Sequence, residues 1–412
     1  MKFNATPLLS DEEDGFLPKI TPSETQMGEL REYRQIVRNT IRVTFSDLNN
    51  AFEKDKAGKW QLSGRAIHLP FVDQLRKLKP EQKSALAGLT PKFMSQGSFV
   101  YKTLNLPCHN PPQQIDLDDG IYLPLEIFRE SPIVSKDLFF SIVDSALNNL
   151  AKNMGWTFEE KNTCARLIVS DLIHIDVPLY AIPLERHVAM ESMKANRADS
   201  AWFKDSRSLL AKDDVYLAVR NRESWVNSDP ATISEWFKDQ IRFHGEVLRN
   251  VCRHLKAWRD YKFSSGGGPS SIALMACAAQ TFSEIAEERG KKFTSAQESE
   301  ALMLCAERLE KQFTQGVPNP ADDTKPQLYP SSEMSEEQIS KDKEFALELA
   351  TDLSFSLKEA ENKQQSVDGI RRALGLRVPN RQDLIDVATA AGILSKPAKT
   401  NPAPVVPNGD AG

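Results

Sequence analysis

The sequence predicts an α+β fold: a small mixed sheet with helices around it, joined to a second lobe built almost wholly of helices. Three observations predict it. Strand-like runs at 115–120, 163–169 and 174–180 alternate with helical stretches in the first half of the chain. From about Ala189 onward, apolar residues recur at spacings of three and four instead. The breaks in that second half, Gly266-Gly267-Gly268-Pro269 and a Pro-rich connection over 314–334, separate helices rather than strands. Strands gathered early and helices gathered late are the pattern of α+β proteins.

Residues 1–20 read as polar and irregular. Thr21-Pro22-Ser23-Glu24 then reads as a helix start, with Thr21 as N-cap, Pro22 at the first helical position and Glu24 closing a capping box. The long helix that follows places Met27, Leu30, Tyr33, Val37, Ile41, Leu48 and Phe52 at mostly helical spacing. Arg31, Arg34, Arg38 and Arg42 form a basic stripe along it, either a solvated face or an arginine row beside a nucleotide cleft. Residues 54–65 read as a loop, and a short helical region from Pro80 leads to the Gly97-Ser98 turn. A Pro-rich loop over 107–114 precedes the first strand. A helix over 136–153 follows, and then two strands turning at Ser170-Asp171. In the second half helices are expected at 231–260, 272–289, 295–313, 335–360 and 381–394, with Gly290 as a natural stop after the second. The last stretch, 395–412, has four prolines and little to bury, and is expected to be disordered. The expected division is therefore 1–20, a core over 21–188 with the long helix as its spine, a helical lobe over 189–394, and a tail over 395–412.

The chemistry gathers on the first strand. In Ile115-Asp116-Leu117-Asp118-Asp119-Gly120, residues two apart share a face, so Asp116 and Asp118 project together while Leu117 points inward. Two neighbouring carboxylates raise each other's pKa, a penalty that a divalent cation removes. Mg²⁺ suits a few carboxylates together with phosphate oxygens. Upstream, Gly97 lets the backbone come close to a phosphate, and the Ser98 hydroxyl can bond its oxygens. Gly-Ser turns and alternating acids are each common by themselves. Their order here, followed by a third strand-borne acid in His174-Ile175-Asp176-Val177-Pro178, is not. Asp119 points to the opposite face and reads as a structural acid.

Composition narrows the class. The chain has 412 residues, 26% charged and 40% hydrophobic, as in ordinary globular proteins. Five scattered cysteines with no Cys-x-x-Cys fit reduced thiols and a cytoplasmic setting rather than a zinc ribbon. No apolar run reaches membrane-spanning length, and the acidic first residues are not a secretory signal. A net charge of −5 argues against nonspecific nucleic-acid binding.

Gln96-Gly97-Ser98-Phe99, Asp116-Leu117-Asp118-Asp119-Gly120 and His174-Ile175-Asp176-Val177-Pro178 together resemble the polymerase-β-like nucleotidyltransferases, and among them the bacterial cGAS/DncV-like group. The likeness continues through Tyr180-Ala181-Ile182-Pro183, Trp225-Val226-Asn227-Ser228-Asp229-Pro230, Lys256-Ala257-Trp258-Arg259-Asp260 and Gly267-Gly268-Pro269-Ser270-Ser271, over roughly residues 25–330. It implies a nucleotidyltransferase core and a helical lobe with the active site in the cleft between them. It also implies an enzyme that joins ATP and GTP without a template and closes a cyclic dinucleotide, an anti-phage alarm read by an effector encoded nearby. A linear oligoadenylate, cyclic di-AMP or another mixed cycle is the neighbouring alternative. A catalytically dead scaffold is disfavoured by the presence of all three acids.

By the same resemblance Asp116, Asp118 and Asp176 would hold two Mg²⁺ ions, or Mn²⁺ in their place, with Asp176 serving the attacking hydroxyl. Gln96, Gly97, Ser98, Phe99 and Tyr101 match the grip on the donor nucleotide. Arg166 matches a base- or phosphate-contacting arginine, and Lys256 a phosphate-binding lysine. Ser228, Asp229, Ser271 and Asp323 match polar contacts to base or ribose. The group can carry an inhibitory folate-like pocket. Arg34, Arg38 and Arg42 match its arginine row, but Met94 stands where tryptophan is expected, which argues against such regulation. The lack of a zinc motif argues against switching by DNA. The terminal Gly412 on a tether is the expected point of attachment for a ubiquitin-activating-like partner.

Overall fold

The computed structural model describes residues 1–125, 132–188, 190, 215–222, 225–228, 230–322 and 325–388. Its core is built on two strands with the same burial pattern, β5 (Ile115–Pro124) and β8 (Ile173–Ile182). Each alternates buried and half-buried for four residues and is then buried throughout. They pair in parallel, with Ile115 opposite Ile173 and Asp118 opposite Asp176. Ile115, Leu117, Ile173 and Ile175 therefore face the apolar core together, and the acids face away from it.

Around this pair the sheet has seven strands among the described residues. β4 (Lys92–Ser95) pairs antiparallel with β5. On its other edge β8 pairs first with β7 (Cys164–Ser170), which carries β6 (Thr157–Glu160), and then with β9 (Tyr216–Leu217), which carries β10 (Val226–Asn227). The sheet thus takes strands from beyond the expected boundary at 188. A hairpin of β2 (Phe52–Lys54) and β3 (Trp60–Leu62) occupies part of the expected loop at 54–65 and takes Phe52, expected on the long helix, into its first strand opposite Leu62.

The spine helix α3 (Glu24–Asn49) buries Leu30, Val37, Ile41, Phe45 and Leu48 against α7 (Pro132–Met154), with Phe45 edge-on to Phe139 at 6.4 Å. Its N-cap is Ser23, boxed with Gln26, and not Thr21 with Glu24. Both pairs have the capping-box spacing, but Thr21 is engaged elsewhere: its hydroxyl donates to Leu17 O and accepts from Arg253.

The opening residues are not irregular. They form β1 (Phe3–Asn4), α1 (Thr6–Ser10) and α2 (Phe16–Lys19). Phe3, Leu8, Leu9, Phe16 and Ile20 are buried in the core of the helical lobe. That lobe comprises α8 (Pro230–His244), α9 (Glu246–Lys262), α10 (Ser271–Arg289), α11 (Glu298–Gln315), α12 (Glu336–Ser354) and α13 (Lys363–Leu374). The expected helix over 231–260 is two, broken at Gly245 with φ +84°. Gly290 ends α10 in the left-handed conformation, as expected. Among the described residues of the expected helix at 381–394, Gln382–Leu384 form a single short 3-10 turn. Asp386–Val387 instead form β11, paired with β1. Residues 389–412 lie outside the described part. No helix among the described residues is long and apolar enough to cross a membrane.

Candidate active site

The in-register pairing of β5 and β8 places Asp116, Asp118, His174 and Asp176 on one face. Asp118 stands among like charges. Burial holds its pKa well above the usual carboxylate value, and the charges of Asp116 and Asp176 raise it further. Asp176 lies directly opposite Arg166 on β7, which grips it through two bonds of 2.6 and 2.7 Å. Asp119, one residue on, is 1% exposed on the other face. There it accepts two bonds from Arg38 and one from Ser95, so it is structural as expected.

These residues fit a divalent cation. Asp116, His174 and Asp176 each present an atom within 4.8 Å of the others, and Asp116 Oδ1 is buried without a hydrogen-bond partner. Arg166 is turned onto Asp176 and neutralises that acid alone by direct bonding among the described residues.

The turn before β5 closes over this face. Gly97 has φ +63°, and a Cβ on it would lie 2.1 Å from Asp118 Oδ2, so glycine is required twice over. Gln96 is braced by two stacked tyrosines: its amide donates to Tyr122 and accepts from Tyr180, whose rings lie 4.8 Å apart. The short helix α6 (Gly97–Tyr101) puts Gly97 and Tyr101, four apart, on one side and Phe99 on the other.

Two cavities meet at this turn. One, of about 410 Å³, is lined by Gln96, Tyr101, Asn227, Ser228, Asp322 and Lys325 among others. The second, of about 440 Å³, is lined by Ser98, Thr103, Asp116, His174, Lys256 and Ser271 among others. Gly97, Tyr101, Asp118 and Ile272 line both. Lys256 is 5% exposed and donates to Thr103 O at 2.6 Å. Burial first, and then the charge of Arg259, push its pKa down to about 7. Ser271 is held by Arg259, 3.0 Å away.

Most of the expected site residues thus come together, but not all. Phe99 lines neither cavity: it packs beside the sheet core with Arg34 over its ring at 5.0 Å. Arg166 lines neither as well, because the antiparallel register commits it to Asp176. Asp229, Asp323 and Gly412 lie outside the described residues. The arginine row is engaged with the sheet, Arg34 and Arg38 on Ser95 and Arg42 over Phe93. Met94 is in a separate buried cluster with Tyr122 and Tyr180. Unanticipated are His174, Asn227 with its donor Lys325, and the Thr103–Arg259 surround of Lys256. The His174 signal was present two residues before Asp176, on the same strand face.

Residues 91–180 match the family described as "Cyclic GMP-AMP synthase DncV-like, nucleotidyltransferase domain", and residues 245–387 match "Cyclic GMP-AMP synthase, C-terminal domain". The cyclic GMP-AMP synthase of Vibrio cholerae serotype O1 is 32% identical over 421 aligned positions, covering 95% of this chain and 94% of the relative. One from Escherichia coli is 32% identical, covering 94% of each. Among solved structures, Vibrio cholerae DncV in complex with GTP and 5MTHFGLU2 superposes with a TM-score of 0.81 at 30% identity, over 94% of this chain and 100% of that one. The same enzyme with the linear intermediate 5′ pppA(3′,5′)pG gives 0.78 at 30% identity, over 95% and 100%. With both lobes matched in order and nearly the whole length aligned, the chain belongs to the DncV-like cyclic GMP-AMP synthase family of nucleotidyltransferases.

Proposed function

We propose that the protein joins ATP and GTP into 3′,3′-cyclic GMP-AMP, releasing pyrophosphate at each of two steps, as a second messenger of anti-phage defence read by a separate effector. The observation that carries this reading is the pair of adjoining cavities, each of a size suited to a small-molecule ligand, meeting where the acids stand. Each step forms a bond from a 3′-oxygen to an α-phosphorus and breaks the bond from that phosphorus to the bridging oxygen of pyrophosphate.

Phosphoryl transfer depends on positioning and charge neutralisation more than on covalent chemistry. Asp116, Asp118 and Asp176 would hold the divalent cations, which when bound supply charge neutralisation for the attacking and leaving oxygens. Arg166 fixes the Asp176 carboxylate in one orientation. Gly97 lets the donor turn approach Asp118, and the tyrosine-braced Gln96 holds that turn in place. Ser228 in one cavity, with Ser98, Ser271 and Lys256 in the other, offers polar contacts to two nucleotides. The test is labelled ATP and GTP with Mg²⁺, followed by chromatography. The mixture is expected to give far more product than either nucleotide alone. Equal yield from ATP alone would make the protein an adenylate synthase instead.

Lys256 carries a second expected result. Its folded pKa lies below the unfolded value of 10.5, so between about 7 and 10.5 the unfolded chain binds the extra proton. Stability from this group therefore rises with pH across that window, and the burial penalty is fully present below it. A triphosphate beside the amine reverses the balance and draws the proton on. Nucleotide binding at pH 8 is expected to take up a proton, in part or whole. Calorimetry in buffers of different ionisation enthalpy reads this, and Lys256→Met should lose the buffer dependence. Heats independent of buffer in the parent chain would place Lys256 away from phosphate.

A further inference from the structure

The imidazole of His174 stands among the acids, and its surroundings determine which nitrogen is free. Gln114 Nε2 donates to Ser170 O at 2.9 Å, which turns Gln114 Oε1 toward His174 Nδ1, 3.1 Å away. An amide oxygen only accepts, so Nδ1 carries the proton, and in the neutral ring Nε2 keeps its lone pair. That lone pair is buried, with no hydrogen-bond partner. It lies 3.0 Å from Asp116 Oδ1, itself buried and unpartnered, and the two lack hydrogen-bond alignment. The ring is held there by register, since His174 is opposite Asp116 and shares a face with Asp176. Two unpartnered lone-pair atoms 3.0 Å apart repel each other unless a cation takes both. A ring N–H tied to an acceptor, with the other nitrogen free, is the usual support of a metal-ligating histidine.

We propose that His174 Nε2 is a ligand of the divalent cation held by Asp116 and Asp176, making that centre one of mixed nitrogen and oxygen donors. The proposal rests on the reading of this face as a metal centre. An imidazole donor shifts preference from Mg²⁺, which favours oxygen, toward first-row ions such as Mn²⁺. Gln114 is the positioning residue, acting through the ring it orients.

The experiment is pulsed electron paramagnetic resonance of the full chain with Mn²⁺, first alone and then with a non-hydrolysable nucleoside triphosphate. Nitrogen modulation of the bound Mn²⁺ signal is expected in the parent chain and its loss in His174→Gln. Gln114→Leu keeps the ring and loses its anchor. It should retain the modulation but bind Mn²⁺ about tenfold more weakly, which tests the proposal even if the histidine variant misfolds. Bound Mn²⁺ without nitrogen modulation in the parent overturns the proposal and leaves the metal centre standing. Modulation that survives in a folded His174→Gln assigns the nitrogen to another donor and overturns it too. No bound Mn²⁺ in either condition overturns the metal centre itself.

Discussion

Asp118→Asn is expected to abolish cyclic product while raising the melting temperature of the chain in the absence of divalent cations. The loss follows from the position of Asp118, the acid shared by both cavities. Removing a contribution of several kcal/mol to the transition state lowers the rate by about 10³-fold or more. The gain in stability follows from the same crowding. Burial and two neighbouring acids raise the folded pKa of Asp118, so the folded form binds the proton more tightly than the unfolded one. For a raised carboxyl, stability is lost as pH rises from the unfolded value through the folded one. At pH 8, above the unfolded value, this carboxyl is therefore a penalty that Asn removes, worth a rise of about 1 to 3 °C. Added Mg²⁺ should cancel the difference, because it stabilises the parent by binding it. Thermal unfolding with a chelator and with Mg²⁺, together with turnover, reads all three. Normal turnover in Asp118→Asn would remove the assignment of the site.

Gly97→Ala is expected to be nearly as severe, by another route. The added Cβ would fall 2.1 Å from Asp118 Oδ2, and the residue would have to keep φ +63°. The left-handed conformation alone costs about 1–2 kcal/mol for a residue with a Cβ. Because Asp118 is a side chain, it can swing away, so the fold should survive with a modest loss of stability. The acid, however, would leave its place beside Asp116 and Asp176. Turnover is expected to drop by about 10²-fold or more, as displacements of about 1 Å at reacting groups do. Thermal unfolding and turnover on one preparation separate the two effects. A variant that melts early yet turns over normally would show that Asp118 does not need its present position.

The two acidic strands were legible because each carries its own local signature, acids and apolar residues alternating with period two. Pairing in register then does the rest: one interstrand alignment brings Asp116, Asp118, His174 and Asp176 together. What was not legible depends on distant partners. Arg166 carries no local sign that its opposite neighbour is Asp176. Phe99 follows its motif in sequence, but a single helical turn rotates it away from Gly97 and Tyr101. The opening residues hid because α1 and α2 span only five and four residues, too few for an apolar period to show. Helix α13 hid because Gly369 interrupts its pattern, yet a Cβ there would meet Ser356 Oγ at 2.1 Å. That glycine marks a close approach of chain to chain rather than a break. β11 is two residues long, and its partner is at the other end of the sequence.

The pairing of β1 with β11 has a consequence for biosynthesis. It joins Phe3 to Val387, and Ala388 N donates to Lys2 O at 2.9 Å. The residues around it, Phe3, Leu8, Leu9 and Phe16, pack into a core completed by α9, α11 and α13. They leave the ribosome hundreds of residues before those helices do. Through most of translation an apolar segment therefore waits without a home, while the sheet lobe, whose strands between β4 and β8 are nearer neighbours in sequence, can already assemble. Closing a loop over nearly the whole chain carries a large entropy cost and cannot nucleate folding. Residues 3–20 are thus placed long after they are made, and the helical lobe is sealed only when β11 arrives.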